Sequence, residues 1–210
     1  MRLPVLTWST GLALASAAGL GHYMRDADPT LPSAVYGVDI AMRLSVIGYL
    51  AILAAAAVIR KQPVGRLRGA EPRISALIGT FLITAVVLFP RRELSLTAGL
   101  VSASLILVGD GLAVFTLVQL RRSFSIMPEA RELVTAGPYR LVRHPLYLAE
   151  AIATIGSVMQ VLSVWTILLL VVQILFQFRR ISNEEAILTK AFPNYAEYQK
   201  RTARVIPGIY

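Results

Sequence analysis

The sequence lacks several residue types on which common protein chemistry depends. Its 210 residues include no cysteine and only two histidines, His22 and His144. The absence of cysteine excludes disulfides, thiolate metal sites and cysteine nucleophiles. The two histidines are far apart in sequence, and no glycine-rich dinucleotide fingerprint is present. The sequence therefore predicts neither a metal centre nor a soluble-type nucleotide-binding domain.

Charged residues are also scarce, and they are unevenly placed. They make up 16% of the chain against 56% hydrophobic residues, and the mean hydropathy is +0.63. A soluble domain averages about 25% charged and about 45–50% apolar residues. The charges cluster between uncharged runs that approach the roughly 20 apolar residues needed to cross a bilayer as a helix. The composition therefore predicts an all-α, polytopic transmembrane helical bundle.

The apolar runs predict about six spans. The first four are expected at 3–23, 35–59, 74–89 and 96–120. The fifth and sixth share the 33 residues of Leu146–Phe178, where Glu150 is the only charged residue. One helix of that length would measure about 50 Å, too long for a hydrocarbon core of about 30 Å. We therefore expect a tight helical hairpin that turns at 160–163 and brings Arg143-His144 and Arg179-Arg180 to one membrane face.

Loop charges predict the orientation of the chain. Basic residues exceed acidic ones in the loops 60–73 and 121–143 and in the tail from Arg179. By the positive-inside rule these segments and both termini are cytosolic. The net charge of +9 is thereby explained without a nucleic-acid partner. A competing interpretation of the N-terminus is a cleaved signal peptide, because the apolar run 5–14 and Ala15-Ser16-Ala17 resemble one.

The tail beyond the sixth span is predicted to form one or two amphipathic helices on the cytosolic face. Ser182 and Glu185 fit a capping box, with acidic residues in the first turn of a helix. Pro193 would interrupt that helix.

Ionisable groups within spans are costly and therefore mark functional candidates. Asp39 and Arg43 are four residues apart on one predicted helix, so we expect a structural ion pair between them. Asp110 lies deep in the fourth span and either bonds to a neighbouring helix or lines a cavity.

The sharpest motif is the run 137–147, which reads GPYRLVRHPLY. Pro145 suits the first turn of a helix, and the open amides of that turn, with Arg143 and His144, would attract an anionic group. Taken alone, the motif fits a basic juxtamembrane anchor equally well. Glu150 continues the same side of the helix as His144, which favours the wall of a polar site.

A second polar group follows the hairpin, and it completes a familiar pattern. The pattern consists of Gly-Pro-Tyr-Arg-x-Val-Arg-His-Pro-x-Tyr, Gly156, Arg-x-x-x-Glu-Glu and Tyr-x-x-Tyr. It resembles the isoprenylcysteine carboxyl methyltransferase family and related membrane enzymes that methylate phospholipids and thiols. The resemblance covers roughly the last 80 residues, 128–207. Phe192-Pro193-Asn194 departs from the Phe-Gly that often precedes the first tyrosine in the family.

The resemblance implies a methyltransferase that uses S-adenosylmethionine (SAM) and a lipophilic acceptor, either a prenylcysteine-like carboxylate or another small hydrophobic or lipid substrate. It implies that Arg143, Glu184 and Arg179 or Arg180 are needed for activity, and we take Arg180 as the candidate. The cofactor-binding candidates are Tyr139, His144, Tyr147, Leu148, Glu184, Glu185, Tyr195 and Tyr198. The acceptor would arrive from the bilayer through a tunnel shaped by residues 1–120. Residues 121–210 would form the catalytic region.

Two other functions remain open at this point. Sterol reductases have a related C-terminal arrangement but bind NADPH, for which a further basic phosphate-binding set would be needed. A small transporter or membrane scaffold could instead use the charged residues within spans, including Asp39, Arg43, Asp110 and Glu150, as a polar path.

Overall fold

The computed structural model describes residues 2–26 and 33–208, with side chains from residues 6 and 34 onward in those two segments. The α-helices of this part are α1 Arg2–Arg25, α2 Ser33–Ile59, α3 Ala70–Phe81, α4 Leu96–Leu120, α5 Pro145–Met159, α6 Val164–Ala191 and α7 Tyr195–Arg201. Short 3₁₀ helices cover Leu82–Leu88, Arg121–Ser123 and Gly137–Arg140. Two antiparallel strands, β1 Gly65–Arg66 and β2 Glu129–Ala130, were not predicted. The all-α prediction is confirmed.

Six apolar helices occur near the predicted positions of the spans. Four helical stretches of the described chain are long and apolar enough to cross a bilayer: Ala34–Ile59, Ala70–Leu88, Leu96–Ser123 and Val164–Ala191. The first helix, α1, has 24 residues but is less apolar than α2. With 15 residues, α5 is apolar but short, at about 22 Å. The chain is therefore a multi-pass membrane protein, as predicted.

The helical hairpin turns where the length argument placed it. The fifth helix ends at Met159 and the sixth begins at Val164. A capping box starts α6: the Thr166 amide donates to Ser163 Oγ at 3.2 Å, and the Ser163 amide donates to Thr166 Oγ1 at 2.8 Å. Such reciprocal bonds satisfy two of the free donors at a helix N-terminus.

The two legs of the hairpin are not tightly packed against each other, and that part of the prediction is wrong. Instead, α5 packs mainly on α4, and α6 packs mainly on α3. Glycines explain the close contact of α5 with α4. A β-carbon at Gly156 would lie 2.7 Å from the Ser102 carbonyl oxygen, and a β-carbon at Gly109 would overlap the Ala153 backbone. Small residues let membrane helices approach closely. The splayed legs leave space between them.

The predicted capping box at Ser182 and Glu185 is wrong, because no helix begins there. The sixth helix runs unbroken from Val164 to Ala191, and Ser182 Oγ donates to the Phe178 carbonyl oxygen at 3.1 Å in mid-helix. A serine inside a helix commonly bonds back to the carbonyl four residues earlier. The helix does end before Pro193, as expected, and the Tyr195 amide donates to the Phe192 carbonyl oxygen at 3.0 Å in the turn before α7.

The described loops fall on two faces of the bundle, as the charge pattern predicted. On one face, β1 pairs with β2, and the Lys61 amide donates to the Arg122 carbonyl oxygen at 2.7 Å. The tail joins the same face, where the Arg143 amide donates to the Ala203 carbonyl oxygen at 2.9 Å. On the other face, the Arg92 amide donates to the Gln160 carbonyl oxygen at 2.8 Å. The cytosolic assignment of the first face stays a prediction.

Two of the intramembrane charges have partners on neighbouring helices. The expected Asp39–Arg43 ion pair is absent from the described part of the chain, and the Arg43 guanidinium instead lies 4.4 Å from the centre of the Tyr23 ring on α1. Both alternatives hold for Asp110, which accepts a hydrogen bond of 2.9 Å from Ser45 Oγ on α2 and also lines a cavity.

Candidate functional site

The segment before α5 is shaped by one glycine and fixed by the tail. Gly137 has φ of +62°, a left-handed conformation that favours glycine. Pro145 begins α5, as predicted. The amides of Arg143 and His144 donate to the carbonyl oxygens of Ala203 and Arg204 at 2.9 and 3.1 Å. The backbone of the tail therefore holds the Arg-His-Pro segment in place.

Glu185 contacts two arginines and a histidine at the open end of the hairpin. Its carboxylate lies 2.8 Å from Arg143 Nε, 3.2 Å from His144 Nε2 and 3.0 Å from Arg204 Nε. Arg143 and His144 belong to the segment before α5, Arg204 belongs to the C-terminal tail, and Glu185 lies on α6. The hairpin prediction that the two ends meet at one face is confirmed.

Arg143 donates hydrogen bonds to three different residues. Besides Glu185, it donates to the Gln199 carbonyl oxygen at 3.0 Å and to the Thr202 carbonyl oxygen. The Tyr198 hydroxyl adds a further link by donating to the Tyr139 carbonyl oxygen at 2.6 Å. The contacts of Arg143 are those of a side chain that positions the tail, and its predicted catalytic role stays a prediction.

Two tyrosines of α7 pack beneath the tail. The rings of Tyr195 and Tyr198 are 5.8 Å apart. Burial raises the pKa of Tyr198 to about 12, and burial raises the pKa of Tyr195 still further. The buried Tyr195 hydroxyl has no hydrogen-bond partner among the described residues. Both side chains are therefore neutral packing groups next to the Glu185 cluster.

Arg180, Tyr147 and Glu184 form a second polar group between the legs of the hairpin. The Tyr147 hydroxyl donates to Glu184 Oε2 at 2.6 Å, and the Arg180 guanidinium carbon lies 4.8 Å from the centre of the Tyr147 ring. Only 4% of Arg180 is exposed, yet it makes no hydrogen bond within the described chain. Its neighbour Arg179 points away and pairs with Glu71 of α3 at 2.6 Å. Arg180 is therefore the arginine that the fold places inside.

A small polar crevice collects most of the predicted site residues. It measures about 50 Å³ and is bordered by Tyr139, Arg143, His144, Tyr147, Arg180 and Glu184, together with Leu120, Ser123, Phe124, Ser125 and Leu146. Four predicted cofactor-binding residues do not border it. Glu185 contacts Arg143 and His144, which border the crevice, but does not border it itself. Leu148 is half-buried in the first turn of α5. Tyr195 and Tyr198 lie in α7.

A larger apolar cavity lies next to this crevice. It measures about 400 Å³ and extends along α5 from Tyr147 to Ser157, between the splayed legs and against α1, α2, α3 and α4. Phe124, Tyr147 and Arg180 border both spaces. The crevice and the cavity therefore share one junction, and a cation and an aromatic ring form part of it.

Glu150 lies in the cavity wall with partners that sequence reasoning missed. Its Oε1 accepts a hydrogen bond of 2.8 Å from the Tyr49 hydroxyl, and its Oε2 accepts one of 3.2 Å from Gln177 Nε2. Gln177 could have been found, because it precedes Arg180 by three residues and so shares a helix face with it. Tyr49 gives no such signal, because it belongs to no motif and no spacing in the sequence links α2 to Glu150 on α5.

Comparisons with known proteins identify the family of the chain. A family model described as phospholipid methyltransferase matches residues 97–195, which contain α5, α6 and all of α4 except its first residue. The chain is 31% identical over 134 residues to protein-S-isoprenylcysteine O-methyltransferase A of Arabidopsis thaliana, covering 60% of this chain and 68% of that protein. The family-model match includes both halves of the polar site, Arg143–Tyr147 and Arg180–Glu185.

Two bacterial proteins with metal-resistance names are also similar. The cobalt-zinc-cadmium resistance protein CzcN of Cupriavidus metallidurans is 38% identical over 79 residues, which are 37% of this chain and 36% of that protein. The nickel-cobalt-cadmium resistance protein NccN of Alcaligenes xylosoxydans xylosoxydans is 32% identical over 113 residues, 52% of this chain and 53% of that protein. The chain thus spans between about a third and a half of these two relatives.

Proposed function

Since this chain belongs to the isoprenylcysteine carboxyl methyltransferase-like family of membrane proteins, we propose that it transfers a methyl group from SAM to a lipophilic acceptor. One observation carries the proposal: Tyr147 and Arg180 border both the polar crevice and the apolar cavity. A polar donor in the crevice and an apolar acceptor in the cavity would meet at these two residues.

The crevice fits the chemistry of SAM, which carries a carboxylate, an ammonium group, a sulfonium and an aromatic base. Arg180 is a buried cation without a hydrogen bond in the described chain, and Glu184 is an acid without an ion pair there. Tyr139 and Phe124 supply aromatic surface. Ligand pockets usually measure about 300–1,000 Å³, so a ligand of this size would have to displace side chains that now fill the crevice.

The reaction demands little acid–base machinery from the protein. SAM would supply a methyl group that its positive sulfur already activates. Holding two reactants in line can remove on the order of 7–11 kcal/mol of a barrier. Tyr147 and Arg180, fixed by helices on both sides of the hairpin, would orient the reactants at the junction. The tail, held by Arg143 and Glu185, would exclude water, and polar interactions are stronger in a site of low dielectric constant.

The cavity supports an acceptor that arrives from the bilayer. Its walls include Trp8 of α1, Tyr49 of α2 and Thr84 beyond α3, as well as residues of α5 and α6. This placement supports the prediction that residues 1–120 shape the acceptor tunnel. The basic loops lie on the same face as the crevice, which supports cytosolic access for SAM.

Calorimetry of SAM binding in detergent tests the proposal. We expect the wild-type protein to bind SAM and Glu184→Gln to bind it about tenfold more weakly, because a hydrogen bond to a charged group is worth about 1.5–3 kcal/mol. Glu197→Gln is the matched control, since the Glu197 side chain is 71% exposed on α7. A folded wild-type sample that does not bind SAM would overturn the proposal.

The same preparations separate the two alternatives. NADPH binding that depends on Glu184 would favour a reductase. Transport into proteoliposomes that survives the loss of both His144 and Glu184 would favour a transporter. Methyl transfer that requires both residues in a folded protein would exclude these alternatives.

A further inference from the structure

The polar part of the cavity wall is richer in acids than in bases. Among the described residues that border the cavity, the acids are Asp110 and Glu150, and the cation is Arg180. Both acids lie on membrane helices, where an uncompensated charge is costly. Asp110 receives one hydrogen bond, from Ser45, and Glu150 receives two. The wall is therefore suited to groups that donate hydrogen bonds.

Of the two acids in the described cavity wall, Glu150 is the one that lies on α5, the helix that carries Tyr147 of the junction. It follows Tyr147 by three residues, which places the two side chains on one helix face, and its partner Gln177 is one turn from Arg180 on α6. A carboxylate offers about four lone-pair sites. Tyr49 and Gln177 use one on each oxygen, so each oxygen can accept another hydrogen bond.

We propose, on the basis of the methyltransferase function above, that the acceptor is a single-chain lipophile whose reactive heteroatom carries a proton, and that Glu150 receives this proton. The class comprises thiols, amines and phenols. The heteroatom forms the new bond to the methyl carbon, and its proton passes to a carboxylate oxygen of Glu150. The electron pair of the broken carbon–sulfur bond stays on sulfur, which becomes a neutral thioether.

A carboxylate acceptor fits this wall less well. It would place another acid beside Glu150 and Asp110 without a proton to donate to either, and like charges placed together disfavour binding strongly. Glu150 would also have no proton to accept from such an acceptor, since a carboxylate has no proton to lose before methylation. Thiols, amines and phenols release a proton as they are methylated, and Glu150 is placed to accept it.

The size of the cavity limits how many hydrocarbon chains the acceptor can have. A cavity that binds one benzene measures roughly 150 Å³, and this one measures about 400 Å³. Its length along α5, from Tyr147 to Ser157, is about 15 Å at 1.5 Å per residue. These dimensions fit one alkyl or prenyl chain, and they do not enclose the two acyl chains of a phospholipid.

Four acceptors that differ mainly in the head group test the proposal. The full chain in detergent is given SAM with a labelled methyl group and dodecanethiol, dodecylamine, 4-nonylphenol or dodecanoate. We expect transfer to at least one of the first three to exceed transfer to dodecanoate about tenfold. Glu150→Gln should lower that transfer by roughly 100-fold, as loss of a proton acceptor does, without lowering transfer to dodecanoate.

Binding measurements separate a chemical role from a structural one. Without SAM, the preferred acceptor should raise the melting temperature of the wild type more than dodecanoate does, and this preference should vanish in Glu150→Gln. Calorimetry should show unchanged SAM binding by Glu150→Gln. Glu197→Gln, on the exposed side of α7, is again the control.

The outcomes distinguish this inference from the proposed function. Dodecanoate as the best acceptor, no transfer to any of the other three, or an equal loss for all acceptors in Glu150→Gln would overturn the inference alone. Failure of the wild type to bind SAM would overturn the proposed function as well.

Discussion

The guanidinium carbon of Arg180 lies 4.8 Å from the centre of the Tyr147 ring, and both residues border the crevice as well as the cavity. Because the two residues lie on α6 and α5, the contact also links the two legs of the splayed hairpin near its open end. A desolvated cation–π contact is worth about 2 kcal/mol. The junction therefore has a fixed geometry that depends on two helices.

Replacement of the buried arginine should impair catalysis even when its charge is kept. We expect Arg180→Lys to lower kcat/KM for methyl transfer at least about tenfold, because lysine does not provide the planar, stacked guanidinium. The adjacent Arg179→Lys is the control, since Arg179 is exposed and pairs with Glu71 on α3. Equal rates for the two variants would contradict this role of Arg180.

Loss of the Glu185 charge should release the tail. Glu185→Gln leaves Arg143, His144 and Arg204 without their shared carboxylate, and removing one partner of a buried pair costs about 3–5 kcal/mol. We expect a lower melting temperature and faster trypsin cleavage after Lys200 and Arg201. Cleavage as slow as in the wild type would show that the cluster does not hold the tail.

The close contact of α4 and α5 should tolerate no added methyl group. We expect Gly109→Ala to destabilise the protein by about 1–3 kcal/mol, the usual cost of overpacking, because its β-carbon would overlap the Ala153 backbone. Gly111→Ala is a matched control two residues away, with nothing within 4 Å of the added atom. Thermal unfolding in detergent compares them, and equal stabilities would contradict the close packing.

The two tyrosines of α7 should respond oppositely to loss of the hydroxyl. Tyr198→Phe removes the hydrogen bond to the Tyr139 carbonyl oxygen and should cost about 1 kcal/mol. Tyr195→Phe removes a buried hydroxyl without a partner in the described chain and should be neutral or stabilising. Their unfolding midpoints provide the measurement, and a larger loss for Tyr195→Phe would refute the assignment.

Sequence length and charge were sufficient to predict the hairpin. The 33 residues of Leu146–Phe178 exceed one span, so the turn at 160–163 and the placement of Arg143-His144 and Arg179-Arg180 at one face followed. The polar motifs were local in sequence, and most of their residues indeed border one crevice. These features depend on short-range patterns and simple geometry.

The cavity and its polar wall could not be predicted in the same way. The separation of the hairpin legs depends on which helix each leg prefers, and that choice follows from steric fit at positions such as Gly109 and Gly156. The Tyr49–Glu150 hydrogen bond joins residues of two distant spans, and no spacing rule relates them. The continuity of α6 through Ser182 was missed because serine suits both a cap and a helix interior.

The length of α6 has a consequence for the membrane environment. Its 28 residues measure about 42 Å, some 12 Å more than a hydrocarbon core of about 30 Å. A thicker or thinner bilayer would tilt this helix or change the length that emerges from it. Arg180 and Glu184 lie on the same helix, so bilayer thickness would shift the junction relative to the interfacial water.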